Sequence, residues 1–123
     1  MNYLTANFAF APRIKDVAVE LYLRPEFYGQ LCIEVRWSIE HLRKKEIFKN
    51  FVRFLIKLLP THPDMSIHTQ EDLIYDQKAT VFKFANVTPH LEYRISVALE
   101  FKDENKWISL EPHVTDRVFI IVP

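Results

Sequence analysis

Apolar and polar residues alternate with a period of two through most of the chain. The cleanest run sets Leu31, Ile33, Val35, Trp37 and Ile39 against Cys32, Glu34, Arg36, Ser38 and Glu40. Successive side chains of an extended strand point to opposite faces, so this run predicts a half-buried strand. Ile14 to Leu23 repeats the pattern, with Val17, Val19, Leu21 and Leu23 on the apolar side. Arg24 to Gln30 holds Pro25 and the single glycine, Gly29, and reads as a turn. Ala79 to Ala85, with Phe82 and Phe84 inward, predicts another strand. So does the run in which Tyr93, Ile95, Val97, Leu99 and Phe101 oppose Arg94, Ser96, Ala98 and Glu100. A short strand is expected around Leu73 to Tyr75. Trp107, Ile108 and Leu110 follow the polar turn Asp103-Glu104-Asn105-Lys106, and a last strand is expected through Val114 to Val122.

His41 to Pro60 supports two readings. As a helix, Ile47/Phe48, Phe51/Val52, Leu55 and Leu58/Leu59 recur at three and four, with Lys45, Lys49, Arg53 and Lys57 opposite. As a strand, Val52, Phe54, Ile56 and Leu58 alternate against Phe51, Arg53, Leu55 and Lys57. The local period favours the helix. The all-β surroundings favour a basic loop, with a helical turn in 41–50, running into a strand from about Phe51 to Leu59. Pro60 to Glu71 reads as a loop. Seven or so short strands with turn signals between them predict an all-β, seven-stranded antiparallel sandwich.

One motif sharpens that expectation. In Val87-Thr88-Pro89-His90-Leu91-Glu92-Tyr93, an apolar residue is followed by proline two later and tyrosine six later, feeding an alternating strand. This is the sequence form of a tyrosine corner, in which the ring joins the core and the hydroxyl bonds the backbone a few residues upstream. With Pro12 before Ile14 and Val17, Val35-Arg36-Trp37, and Ser109-x-x-Pro112 before the last strand, the chain resembles a fibronectin type III domain over nearly all of residues 12–122. The resemblance implies a Greek-key sandwich over 12–123, preceded by an extension over 1–11. It implies Trp37, Pro89 and Tyr93 as structural core, and a non-catalytic interaction or spacer module. Departures are the single glycine, Val87 for the commoner leucine, and a long Trp37-to-Tyr93 spacing. Neither an RGD tripeptide nor a WSxWS box is present. Fold of this kind does not name a partner.

Composition narrows the class. A chain of 123 residues is one domain on size and buries roughly 65% of its unfolded surface without disulfides or metal. Hydrophobic content of 49% with 14% aromatic excludes intrinsic disorder. No apolar run approaches the roughly 18–20 residues of a membrane span, and Met1 to Ala11 lacks the basic and apolar regions of a signal peptide. Its Tyr3, Leu4, Phe8 and Phe10 would pack back on the domain or add to a neighbour's edge. The lone cysteine, Cys32, forms no internal disulfide. On the polar side of its strand, its thiol favours a reducing compartment and hence the cell interior.

Charge is uneven. Arg43, Lys44, Lys45, Lys49, Arg53 and Lys57 face one acid, Glu46, so residues 43–57 carry +5, and with zero formal net charge the remainder carries −5. Arg43, Lys44, Lys45 and Lys49, with Phe48 as an apolar anchor, form the candidate docking surface for an acidic protein partner. RNA or phospholipid could use the same charges, although no RNP-like aromatic pattern accompanies them. His62, Asp64 and His68 share a loop but meet no recognised ligand spacing. Cys32 lacks a histidine partner for nucleophilic work. No catalytic residue, cofactor or metal is therefore expected. Asn86-Val87-Thr88 is a glycosylation sequon if the protein is secreted. The expectation is a non-enzymatic adaptor or scaffold component of an intracellular complex, cytoplasmic or nuclear, that binds through a sheet edge or the basic loop. The alternatives are an extracellular receptor-type fibronectin-III domain with a protein ligand, and a polyanion-binding domain using 43–57.

Overall fold

A computed structural model describes residues 13–24, 30–40, 52–76 and 78–119. The expected extension over 1–11, the helical turn in 41–50 and the docking residues Arg43, Lys44, Lys45, Phe48 and Lys49 lie outside them.

The described chain is all-β apart from one short 3₁₀ segment. Its strands are β1 (Arg13–Arg24), β2 (Gln30–Glu40), β3 (Val52–Pro60), β4 (Gln70–Ile74), β5 (Val81–Phe84), β6 (Glu92–Asp103), β7 (Lys106–Ser109), β8 (His113–Val114) and β9 (Val118–Phe119). Every pairing is antiparallel. One sheet has the order β1-β2-β5 and the other β4-β3-β6-β7, with β8 and β9 also on β6. Period-two patterning gives each sheet one apolar face, and the two apolar faces meet. Ile33, Val35, Trp37 and Phe84 from the first sheet share a core with Phe54, Ile56, Leu58, Ile95, Val97 and Phe101 from the second. The Trp37 and Phe54 rings lie 5.4 Å apart across it.

The ambiguous segment resolves where it is described. Val52, Phe54, Ile56 and Leu58 are buried in strict alternation. β3 bonds β4 on one side and β6 on the other. A helix here would leave both neighbours without a ladder, so pairing overrides the local 3.6-residue period. β4 begins at Gln70, earlier than expected, and the loop before it contains a 3₁₀ turn over Pro63–His68.

The strand count exceeds seven because the end of the chain is broken into short pieces along β6. Leu110 N–H bonds Leu99 O at 3.0 Å and Thr115 N–H bonds Ile95 O at 2.9 Å. Thr115 Oγ1 accepts from Ile95 N–H at 3.0 Å. These bonds satisfy β6 between the pieces, around Pro112, which has no N–H to give.

Two placements differ from expectation. Cys32 is fully buried although it lies on the side facing away from the core. β2 is the central strand of its sheet, opposite Tyr22 of β1 in register, and a side chain this small sits below its longer neighbours. Pro89 is exposed, not packed in the core. It occupies the turn with His90, whose φ is 63°, where its fixed φ shapes the corner. Trp37 and Tyr93 are buried, and Tyr93 Oη accepts from Thr88 N–H at 3.3 Å.

Candidate partner-binding face

Residues of β6 that point away from the core, Arg94, Ser96, Ala98, Glu100 and Lys102, run down the middle of the second sheet's outer face. Register sets Arg53 beside Glu100, Leu55 beside Ala98 and Leu59 beside Arg94. On the other flank, Trp107 faces Lys102 and Val114 faces Ser96.

At one end of this face four strands converge on Arg53. Its Nε donates to Glu100 Oε1 at 2.7 Å and its Nη1 donates to Tyr75 Oη at 3.1 Å. The guanidinium carbon lies 3.9 Å from the Trp107 ring centroid and 5.6 Å from that of Tyr75. The two rings meet edge-on at 6.2 Å. Burial alone would lower the Arg53 pKa, but the bonds to Glu100 and Tyr75 outweigh it and raise the pKa above the ordinary arginine range. The group therefore stays a cation, held flat against an indole face.

At the other end, Leu59, Pro60, Thr61, Arg94, Val114 and Arg117 line an open depression of about 350 Å³. Glu92 is held there by Thr61 Oγ1 at 2.8 Å and Arg117 Nε at 3.5 Å. Ser96, Ala98 and Glu100, between the two ends, are low-lying and buried.

The sheet edges are poorer surfaces. β1 carries a bulge between Lys15 and Ala18, with Asp16 at φ 52°. β5 has four residues, and β4 has five, with Glu71 and Asp72 exposed. The β7–β9 edge is interrupted at Pro112. Short, bulged, charged and proline-broken edges resist strand addition.

The remaining sequence candidates have local roles. His62 Nδ1 accepts from Asp64 N–H at 3.2 Å and caps the 3₁₀ turn. His68 Nδ1 lies 3.0 Å from Thr88 Oγ1 and ties that turn to the corner. Among the described residues no three His, Cys, Asp or Glu side chains group to hold a metal ion, and no helix is long and apolar enough to cross a membrane. Asn86 is exposed at φ 55°, next to the buried Val87. Sequence reading counted Arg53 only within the basic run and passed over Tyr75, Glu100 and Trp107. Their one signal was a tryptophan just after a polar turn; the register that assembles them is not written in any single segment.

Set against known proteins, the chain matches no family model, no curated protein and no solved structure.

Proposed function

We propose that this chain is a non-catalytic protein–protein interaction module, an adaptor or scaffold subunit of an intracellular complex, on a fibronectin-III-like Greek-key sandwich. The path of the chain supports the fold part of this reading. It forms β1 and β2 in one sheet, crosses for β3 and β4, returns for β5, and crosses again for β6 onward. That path sets β5 beside β2 and β6 beside β3, the non-sequential neighbours that Greek-key connections produce. The Thr88–Tyr93 bond and the burial of Trp37 support it as well.

The functional part is carried by one observation: the basic run leads directly into β3, whose second residue is the stacked Arg53. Charge on Arg43, Lys44, Lys45 and Lys49 steers an acidic partner, Phe48 anchors it, and the aromatic cluster lies next along the chain. Replacing Lys44, Lys45 and Lys49 together by Glu should abolish co-purification of the native partner from its own cells while leaving the melting temperature unchanged. Retained binding overturns the basic-segment reading, and detection of turnover overturns the non-catalytic one.

A second reading, an extracellular receptor-type domain, is favoured by the exposure of Asn86 at the corner. The burial of Cys32 also removes thiol exposure as an argument for the cell interior. A mass shift on peptide N-glycosidase treatment of protein from its own cells, lost in Asn86→Gln, establishes that compartment.

A further inference from the structure

The basic segment is not the only cationic element of the second sheet's outer face. Its acids all have internal partners: Glu100 bonds Arg53, Glu71 lies 4.0 Å from Lys57, and Glu92 bonds Thr61 and Arg117. Arg94 and Lys102 are exposed and form no ion pair among the described residues. The uncompensated charge of the face is therefore positive, and it sits at two points. Both are on β6 and eight residues apart, about 27 Å in an extended strand. Between them the floor is low, formed by Ser96 and Ala98, with Leu55 on one flank and Val114, 47% exposed, on the other.

We infer that this face docks an extended acidic segment of a partner protein. The segment spans about eight residues, with carboxylates towards both ends and aliphatic or aromatic side chains between them. The end carboxylates pair with Arg94 and Lys102, and the apolar side chains cover Leu55, Val114 and the low floor. Two isolated cations separated by interleaved acids suit such a peptide and not a polyphosphate, whose charge repeats at every nucleotide and meets Glu71 and Glu92 on the way. The inference rests on the interaction-module reading and moves its contact from the basic segment to a folded face.

The test is a selection from a random dodecamer library against the full chain. A synthetic peptide of the enriched consensus is then titrated by calorimetry and by Trp107 emission. The expected consensus alternates acidic and apolar residues. Replacing Arg94 and Lys102 together by Glu should weaken that peptide at least about tenfold, with circular dichroism and melting temperature unchanged. Binding that survives this pair but is lost on replacing Lys44, Lys45 and Lys49 by Glu overturns the face and leaves the basic-segment reading standing. The converse result upholds the face and removes the basic segment. A consensus without acids, no enrichment, or tight binding of oligouridine RNA with no acidic peptide overturns the inference.

Discussion

The outer faces of the two sheets carry the same pair, an arginine and a glutamate, in opposite settings. On the first sheet Glu34, 11% exposed in its side chain, meets Arg36 of its own strand and Lys83 of β5, which are 66% and 50% exposed. On the second sheet Glu100 is equally covered, but its partner Arg53 is only 14% exposed. The glutamates match; the cations do not. Arg36 lies in solvent, where pairing is screened and costs side-chain entropy, so its net worth is small. Arg53 is roofed by Trp107 and bonded to Tyr75, so its removal leaves Glu100 covered and uncompensated. An aromatic lid is what turns a surface ion pair into a clamp across β4, β3, β6 and β7.

The core below both faces sets the scale. Trp37→Ala or Tyr93→Ala should each cost on the order of 3–5 kcal/mol by urea denaturation, since each empties a large buried volume. Near-wild-type stability in either would mean that the two faces do not rest on one core. Trp37 adds a finer point, because its indole N–H has no hydrogen-bond partner among the described residues. Trp37→Phe keeps most of the packing and gives up no hydrogen bond, so it should cost clearly less than Trp37→Ala.

Next in size is Arg53→Ala, expected to cost about 2–4 kcal/mol, somewhat below the loss for breaking a fully buried pair. Arg53→Lys should recover only part of this, because an ammonium cannot bond Glu100 and Tyr75 as a planar fork while stacking on Trp107. The linkage sign follows from the raised Arg53 pKa. A base whose pKa is raised on folding stabilises the fold below its unfolded pKa and loses that contribution only as pH rises through the folded one. Both values lie in the arginine range, so the Arg53→Ala deficit should stay flat between about pH 6 and 9. A deficit that fades within that window would mean that another group carries the clamp.

Local pattern made the strands legible, and contacts between strands set what it could not show. Period-two alternation marked β2 and β6 because each buries one face of a long, regular run. The corner was legible because its three determinants, Val87, Pro89 and Tyr93, sit within seven residues. Pro89 was misread as core because one motif holds both packing residues and turn residues, and sequence does not separate them. Cys32 was misread because alternation assigns a side of the sheet, whereas exposure depends on what the neighbouring strands lay over that side. The Arg53 cluster was invisible for a related reason. Its members lie on β3, β6, β7 and just beyond β4, and only the registers Arg53↔Glu100 and Lys102↔Trp107 bring them together.

The smallest expected effect is the other half of the comparison. Arg36→Ala should cost no more than about 0–1 kcal/mol, because Lys83 remains beside Glu34 and the lost cation was largely hydrated. Salt separates the two settings further. At about 1 M salt the Debye length falls to roughly 3 Å, which screens charges that solvent can reach and leaves covered ones almost untouched. The Arg36→Ala deficit should then vanish in high-salt urea titrations while the Arg53→Ala deficit persists. Equal salt sensitivity in the two variants would mean that Trp107 does not shield Arg53, and the clamp would reduce to a second surface pair.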